Sequence, residues 1–118
     1  MREIARFPAH ELAEGALRRL FDPPFDVVVL RSGGKVFALR DACPHSGHSL
    51  SEGRVTDCVL TCPMHGWEID VRTGQVLTAA GRGEQAVALR VTREGPDLVI
   101  WSTEPVKRKT NQPADERD

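Results

Sequence analysis

Hydrophobic and polar positions along this chain fall into short runs, several alternating with a period of two and closed by glycine, proline or acidic residues. Runs of that kind predict strands joined by tight turns, and so a small all-β sandwich or barrel. Arg2 to Phe7 reads as a first strand, stopped by Pro8. Asp26 to Arg31 carries Val27-Val28-Val29-Leu30, and Lys35 to Arg40 resumes with Val36-Phe37-Ala38-Leu39. Gly33 and Gly34 stand between them and accept the positive φ of a two-residue hairpin turn without steric cost. Further on, Val87, Leu89 and Val91 alternate with Ala88 and Arg90, and Glu94-Gly95-Pro96-Asp97 turns the chain into Leu98 to Ser102 as a second hairpin.

One segment carries a competing pattern. Ala9, Leu12, Ala13, Ala16, Leu17 and Leu20 recur at helical spacing behind Pro8, so a helix over 9–20 satisfies the periodicity. Gly15 interrupts it at a cost of about 1 kcal/mol relative to alanine. The reading adopted is a helical turn at 9–13 and then a strand from about Ala16 to Phe21, ended by Asp22-Pro23-Pro24. From Pro105 the composition shifts to Lys107-Arg108-Lys109, Thr110-Asn111-Gln112-Pro113 and Asp115-Glu116-Arg117-Asp118, with little to bury. That predicts a single domain over 1–104 and a disordered tail over 105–118.

Composition narrows the classes. A chain of 118 residues suits one domain, and 40% hydrophobic with 28% charged residues is an ordinary soluble balance. The formal net charge of -1 supplies no basic field for nucleic acid or anionic lipid. No apolar run approaches the roughly 20 residues of a membrane span, and no apolar stretch follows Met1 to Arg6 as a secretory signal requires. The expectation is a monomeric cytoplasmic protein with no membrane or nucleic-acid partner. Three cysteines is an odd number, which argues against a disulfide framework and toward metal.

The cysteines are grouped with histidines. Cys43-Pro44-His45-Ser46-Gly47-His48 and Cys62-Pro63-Met64-His65-Gly66-Trp67 form the pattern C-x-H, sixteen residues, C-x-x-H. Each segment offers a thiolate and an imidazole, so two loops can meet around a metal centre. Pro44 and Pro63 stiffen them, while Gly47 and Gly66 allow positive φ beside the ligands. The same residue types form a structural zinc set, but zinc fingers pair cysteine with cysteine and histidine with histidine, and C-x-H fits that spacing poorly.

With Gly53 between the loops and Gly66-Trp67-Glu68-Ile69-Asp70 leading into Val71-Arg72-Thr73-Gly74, the chain resembles the Rieske family. The match is to the CPxHGxxFDxxTG run of soluble Rieske ferredoxins and of oxygenase Rieske domains; it covers most of 2–102 and is most specific from Cys43 to Gly74. The resemblance implies an all-β Rieske fold with a cluster-binding subdomain, about 41–72, formed by two loops. It implies one 2Fe–2S cluster, with Cys43 and Cys62 on the inner iron and His45 and His65 on the outer. High-potential members in cytochrome bc complexes add a disulfide across the loops and two hydroxyl donors; the matching positions here are His48 and Met64, and Trp67 and Ile69. Fewer donors to the reduced cluster imply a potential at the low end of the range, about −150 mV.

Other residues receive plainer readings. Cys58 shares the parity of Leu60 and Cys62 and reads as a strand-packing thiol. His48 reads as an exposed loop histidine, with partner docking or proton uptake as its alternative. Met64 reads as an apolar lid, and Trp67 and Trp101 as core or cluster-covering residues. Ser46, His48, Met64 and Trp67 are the expected partner surface around His45 and His65.

By resemblance the first function class is a stand-alone ferredoxin, passing electrons from a flavoprotein reductase to a terminal oxygenase, with no catalytic residue of its own. The oxygenase reading fails on inventory: a mononuclear iron needs two more histidines and a carboxylate, and of four histidines only His10 and His48 remain, far apart in sequence and with no second domain expected to hold an active site. A nitrite reductase small subunit and an iron–sulfur redox sensor are the alternatives.

Overall fold

The computed structural model describes residues 2–23, 26–78 and 83–102. Among these are nine strands: β1 (Arg2–Pro8), β2 (Leu17–Leu20), β3 (Val27–Ser32), β4 (Lys35–Arg40), β5 (Arg54–Thr56), β6 (Val59–Thr61), β7 (Glu68–Asp70), β8 (Ala88–Glu94) and β9 (Asp97–Ser102). Short 3₁₀ turns lie at Ala9–Glu11 and Leu50–Glu52. The strands form a six-stranded sheet, β1-β9-β8-β4-β3-β2, and a three-stranded sheet, β5-β6-β7. Every pairing in both is antiparallel.

Local chemistry accounts for the turns. Gly33 and Gly34 take φ of 64° and 77°, and Ser32 pairs with Lys35 across them. Both glycine amides donate to the Glu14 carboxylate, at 2.7 and 3.0 Å. Glu94 pairs with Asp97 around Gly95, whose φ is 59°. The segment after Pro8 forms a 3₁₀ turn and then β2, as the adopted reading expected, and the helix over 9–20 does not form. Gly15 turns left-handed at φ 81°, and the Arg31 guanidinium donates to the carbonyls of Leu12 (2.6 Å) and Ala9 (2.9 Å). Those carbonyls are thereby satisfied outside a helix, and Leu17–Leu20 gains a ladder against Val27–Leu30. Pro24 and the expected tail over 105–118 lie outside the described residues.

Burial explains the one continuous apolar run. Val27, Val28, Val29 and Leu30 are each 0% exposed, because β3 is covered on both faces. Val28 and Leu30 join Leu39, Leu60 and Ile69 beneath the small sheet, while Val27 and Val29 join Phe7, Ala38, Leu98 and Ile100 on the opposite side. The two outer strands of the large sheet meet through side chains. Arg2 of β1 reaches Asp22 at 3.0 Å, and the Arg18 guanidinium of β2 lies 4.2 Å over the Phe7 ring of β1.

The small sheet sets up the site. Thr61 pairs with Arg54 on one side and Glu68 on the other, so the segments before β5 and between β6 and β7 emerge side by side. Both cysteine–histidine motifs lie in those segments. Gly53 makes the close approach possible: a Cβ there would stand 2.1 Å from the Thr61 carbonyl oxygen.

Candidate metal centre

The two loops are built alike. In the first, Cys43 N–H donates to the His48 carbonyl at 2.9 Å and Gly47 N–H to the Cys43 carbonyl at 2.7 Å. In the second, Cys62 N–H donates to the Trp67 carbonyl at 2.8 Å and Gly66 N–H to the Cys62 carbonyl at 3.1 Å. Reversing the chain so tightly requires left-handed residues, and Gly47 (φ 76°) and Gly66 (φ 72°) supply them. His65 is also left-handed, at φ 74°, without the glycine's freedom. Backbone strain of about 1 kcal/mol is thus stored on a candidate ligand.

The four residues singled out by their spacing come together as two pairs, divided by chemistry. Cys43 and Cys62 are 2% and 0% exposed and their thiols adjoin. Burial pushes the Cys62 thiol up, the Met64 backbone N–H opposes it by donating to the sulfur, and the neighbouring Cys43 thiol adds to the rise. Metal binding to a thiol must displace its proton. The imidazoles sit outside. His45 and His65 are exposed, edge to face, with ring centroids 4.8 Å apart.

A single tetrahedral zinc needs its ligands converging on one point. Among the described residues no three His, Cys, Asp or Glu side chains are so placed. A buried sulfur pair and an exposed nitrogen pair instead match a two-iron cluster with one iron held by thiolates and the other by imidazoles. The four residues could hold that cluster.

The surroundings modify several readings. Trp67 is buried, with its ring 4.4 Å from that of His45 and tilted by 39°. It belongs to the core beneath the histidine and is no part of the exposed rim, contrary to the expected partner surface; the apolar wall of Leu50, Val55 and Ile69 draws it inward. His48 is half-buried and its Nε2 lies 3.0 Å from Glu52 Oε1, so it is a braced residue and not an exposed one. Met64, within the second loop, is 41% exposed. Cys58 packs against the core, but from the β5–β6 turn and not from a strand: Asp57 and Cys58 are left-handed, at φ 51° and 64°. Its N–H donates to Ser32 Oγ at 2.9 Å, which ties the small sheet to the end of β3. Trp101 is half-buried on β9 and donates to Thr92 Oγ1 at 2.8 Å. Sequence reasoning passed over Asp41, a buried carboxylate two residues before Cys43. Its one sequence signal is an acidic residue directly after Arg40, where the apolar run Val36-Phe37-Ala38-Leu39 of β4 has ended.

A family model described as Rieske [2Fe-2S] domain matches residues 4–91. The chain belongs to the Rieske family. Its cofactor is accordingly a 2Fe–2S cluster. The ferredoxin component of biphenyl 2,3-dioxygenase from Rhodococcus jostii (strain RHA1) is 34% identical over 76% of this chain and 83% of its own length. The 3-phenylpropionate/cinnamic acid dioxygenase ferredoxin subunit of Escherichia coli (strain K12) is 31% identical over 85% of this chain and 93% of its own. Among solved structures, the ferredoxin of carbazole 1,9a-dioxygenase from Nocardioides aromaticivorans IC177 superposes with a TM-score of 0.76 at 22% identity, covering 85% of this chain and 97% of that one. That likeness establishes the Rieske fold. Among the described residues no helix is long and apolar enough to cross a membrane.

Proposed function

We propose that this Rieske protein is the ferredoxin of an oxygenase system, taking single electrons from a flavoprotein reductase and delivering them to a terminal oxygenase. Cys43, His45, Cys62 and His65 are the cluster ligands, within a binding unit of residues 41–72 and a domain of residues 1–104. When bound, the cluster supplies a reversible one-electron step. The remaining work is positional. Cys43 and Cys62 anchor the group where water is excluded, and His45 and His65 present their rings at the surface, where a partner can approach. Trp67 supports His45 from below. Ser46 and Met64 border the rings and form the rim of a small transient interface. No residue acts as acid, base or nucleophile, and the protein works as a monomer in the cytoplasm.

The observation that carries this reading is the division of the site into a buried thiol pair and an exposed imidazole pair. It is supported by the kinship with dioxygenase ferredoxin components. Two measurements test it. The reduced protein is expected to give an EPR signal with the low average g of mixed nitrogen–sulfur ligation, lost in His45→Ala and His65→Ala. NADH and a ferredoxin reductase are expected to bleach the visible spectrum, and a terminal oxygenase to restore it. A colourless protein with stoichiometric zinc would overturn the assignment.

A further inference from the structure

No disulfide ties these loops together, yet Cys43 and His45 must be held in one place. Asp41 stands immediately before the Ala42-Cys43 step, with its side chain 1% exposed. A carboxylate so buried persists only when its oxygens are hydrogen-bonded. Both are. Ser51 N–H donates to Oδ1 at 2.6 Å, and Ser51 O–H donates to Oδ2 at 2.8 Å. Arg19 of β2 brings its Nε to 3.4 Å from Oδ2 and also to 3.0 Å from Asp26. The Asp26 carbonyl in turn accepts the Asp41 N–H at 2.6 Å.

Asp41 is therefore fastened to the large sheet on one side and grips Ser51 on the other. Its grip closes residues 41–51 into a ring, and that ring contains Cys43 and His45. Charge-assisted bonds to a buried carboxylate are the strong kind. Opening the ring frees a loop whose ends would otherwise stay together, and the two ligands lose their fixed positions.

We propose that Asp41 is a positioning residue, a buried carboxylate clamp that holds the first ligand loop on its cluster through Ser51. The inference rests on the assignment of Cys43 and His45 as ligands. The clamp acts on cluster retention and on the geometry of the His45 side, more than on the stability of the sheets.

The test compares full-length Asp41→Ala, Asp41→Asn, Ser51→Ala, Glu14→Ala and His45→Ala proteins with the parent, each taken through the same cluster loading. Three readouts are used: the rate of bleaching by an iron chelator, the EPR spectrum of the reduced protein, and the melting temperature. Asp41→Ala is expected to bleach about tenfold faster, with a changed spread of g values, and Ser51→Ala to fall between it and the parent. Asp41→Asn keeps the shape and one acceptor, and is expected to recover most of the difference. Glu14→Ala removes a comparable brace at the far end of the β3–β4 hairpin, and is expected to lower the melting temperature with parental bleaching and EPR. Parental bleaching and EPR in both Asp41→Ala and Ser51→Ala, with the cluster lost in His45→Ala, would overturn the clamp alone. Should Asp41→Ala not fold, Ser51→Ala decides by the same readouts. A parental EPR spectrum in His45→Ala would overturn the ligand assignment and the clamp with it.

Discussion

Replacing Gly53 by alanine tests whether the two loops are held as close as the structure places them. Gly53 has φ −86°, open to any residue, so no left-handed strain is involved. The added Cβ would stand 2.1 Å from the Thr61 oxygen, 3.1 Å from the Thr61 carbonyl carbon and 3.2 Å from the Leu50 oxygen. Carbon–oxygen contacts settle at about 3.3 Å, so one backbone must retreat by about 1 Å. Neither is free to do so. Thr61 lies in the central strand of the small sheet, and Leu50 is fully buried with its carbonyl accepting the Gly53 N–H at 2.9 Å. Overpacking typically costs about 1–3 kcal/mol, and a clash against backbone belongs at the upper end, about 3 kcal/mol. Loss of glycine's freedom in the unfolded chain returns about 0.7 kcal/mol. The net loss of about 2 kcal/mol corresponds to a fall of about 10 °C in melting temperature for a domain of this size. Because Thr61 precedes Cys62, the same displacement moves a proposed ligand, and iron per chain is expected to fall below half of the parent's. Thermal melting by circular dichroism and iron analysis read both effects. Gly34→Ala is the control: its φ of 77° brings strain of about 1 kcal/mol, but open space surrounds it and iron content is expected to stay parental. A Gly53→Ala protein that melts with the parent and carries full iron would refute this account of the close approach.

Trp67→Ala is expected to cost about 3 kcal/mol through the cavity it leaves, and to weaken the His45 side of the site, whereas Trp67→Phe recovers most of both; chelator kinetics and melting curves check it. The midpoint potential is expected near −150 mV, since Trp67 and Ile69 offer no hydroxyl to the cluster; a clearly positive value in a redox titration at neutral pH would contradict this. Asp22 is held below the usual carboxylate range by Arg2 first and then by Arg40, against the opposing pull of burial. A depressed folded pKa means that its stabilisation is full above the unfolded value near 3.8 and lost as pH falls through the lower folded value. Denaturant midpoints of Asp22→Asn are expected to fall below the parent's at neutral pH and to converge with them only once the pH has fallen below the depressed folded value, which lies under 3.8.

Much of the fold and of the site was legible because its signals are local. The Gly33-Gly34 and Glu94-Gly95-Pro96-Asp97 turns act within four residues, so hairpin positions follow from turn chemistry. The pairing of a cysteine with a histidine in each loop, on which the proposed donor set Cys43, His45, Cys62 and His65 rests, was likewise visible, since residue types and short spacings are properties of adjacent residues. Legibility failed where parity was read without knowing where a strand begins. Cys58 has the spacing of Leu60 and Cys62 but falls in the left-handed turn before β6, docked on Ser32. Trp67 was read both as a core or cluster-covering residue and as part of the partner surface, and its burial bears out the first; His48 was placed on that surface too, because loop position says nothing about which side faces the core.

What the sequence by itself determined, then, is the inventory: short strands, two glycine turns and two pairs of sulfur and nitrogen donors. Tertiary structure alone decided the partition of those donors, burying Cys43 beside Cys62 and leaving His45 exposed beside His65. It alone set the Trp67 ring against His45, Gly53 against Thr61 and the Asp41 carboxylate around Ser51. Each of those contacts joins residues brought together by sheet register, by the stacking of the small sheet on the large one, or by the folding-back of a loop. A composition or a spacing describes what each segment can offer. Which offers meet depends on the free energy of closing the whole β assembly, where burial of Val28, Leu30, Leu39, Leu60 and Ile69 between the two sheets outweighs local preference.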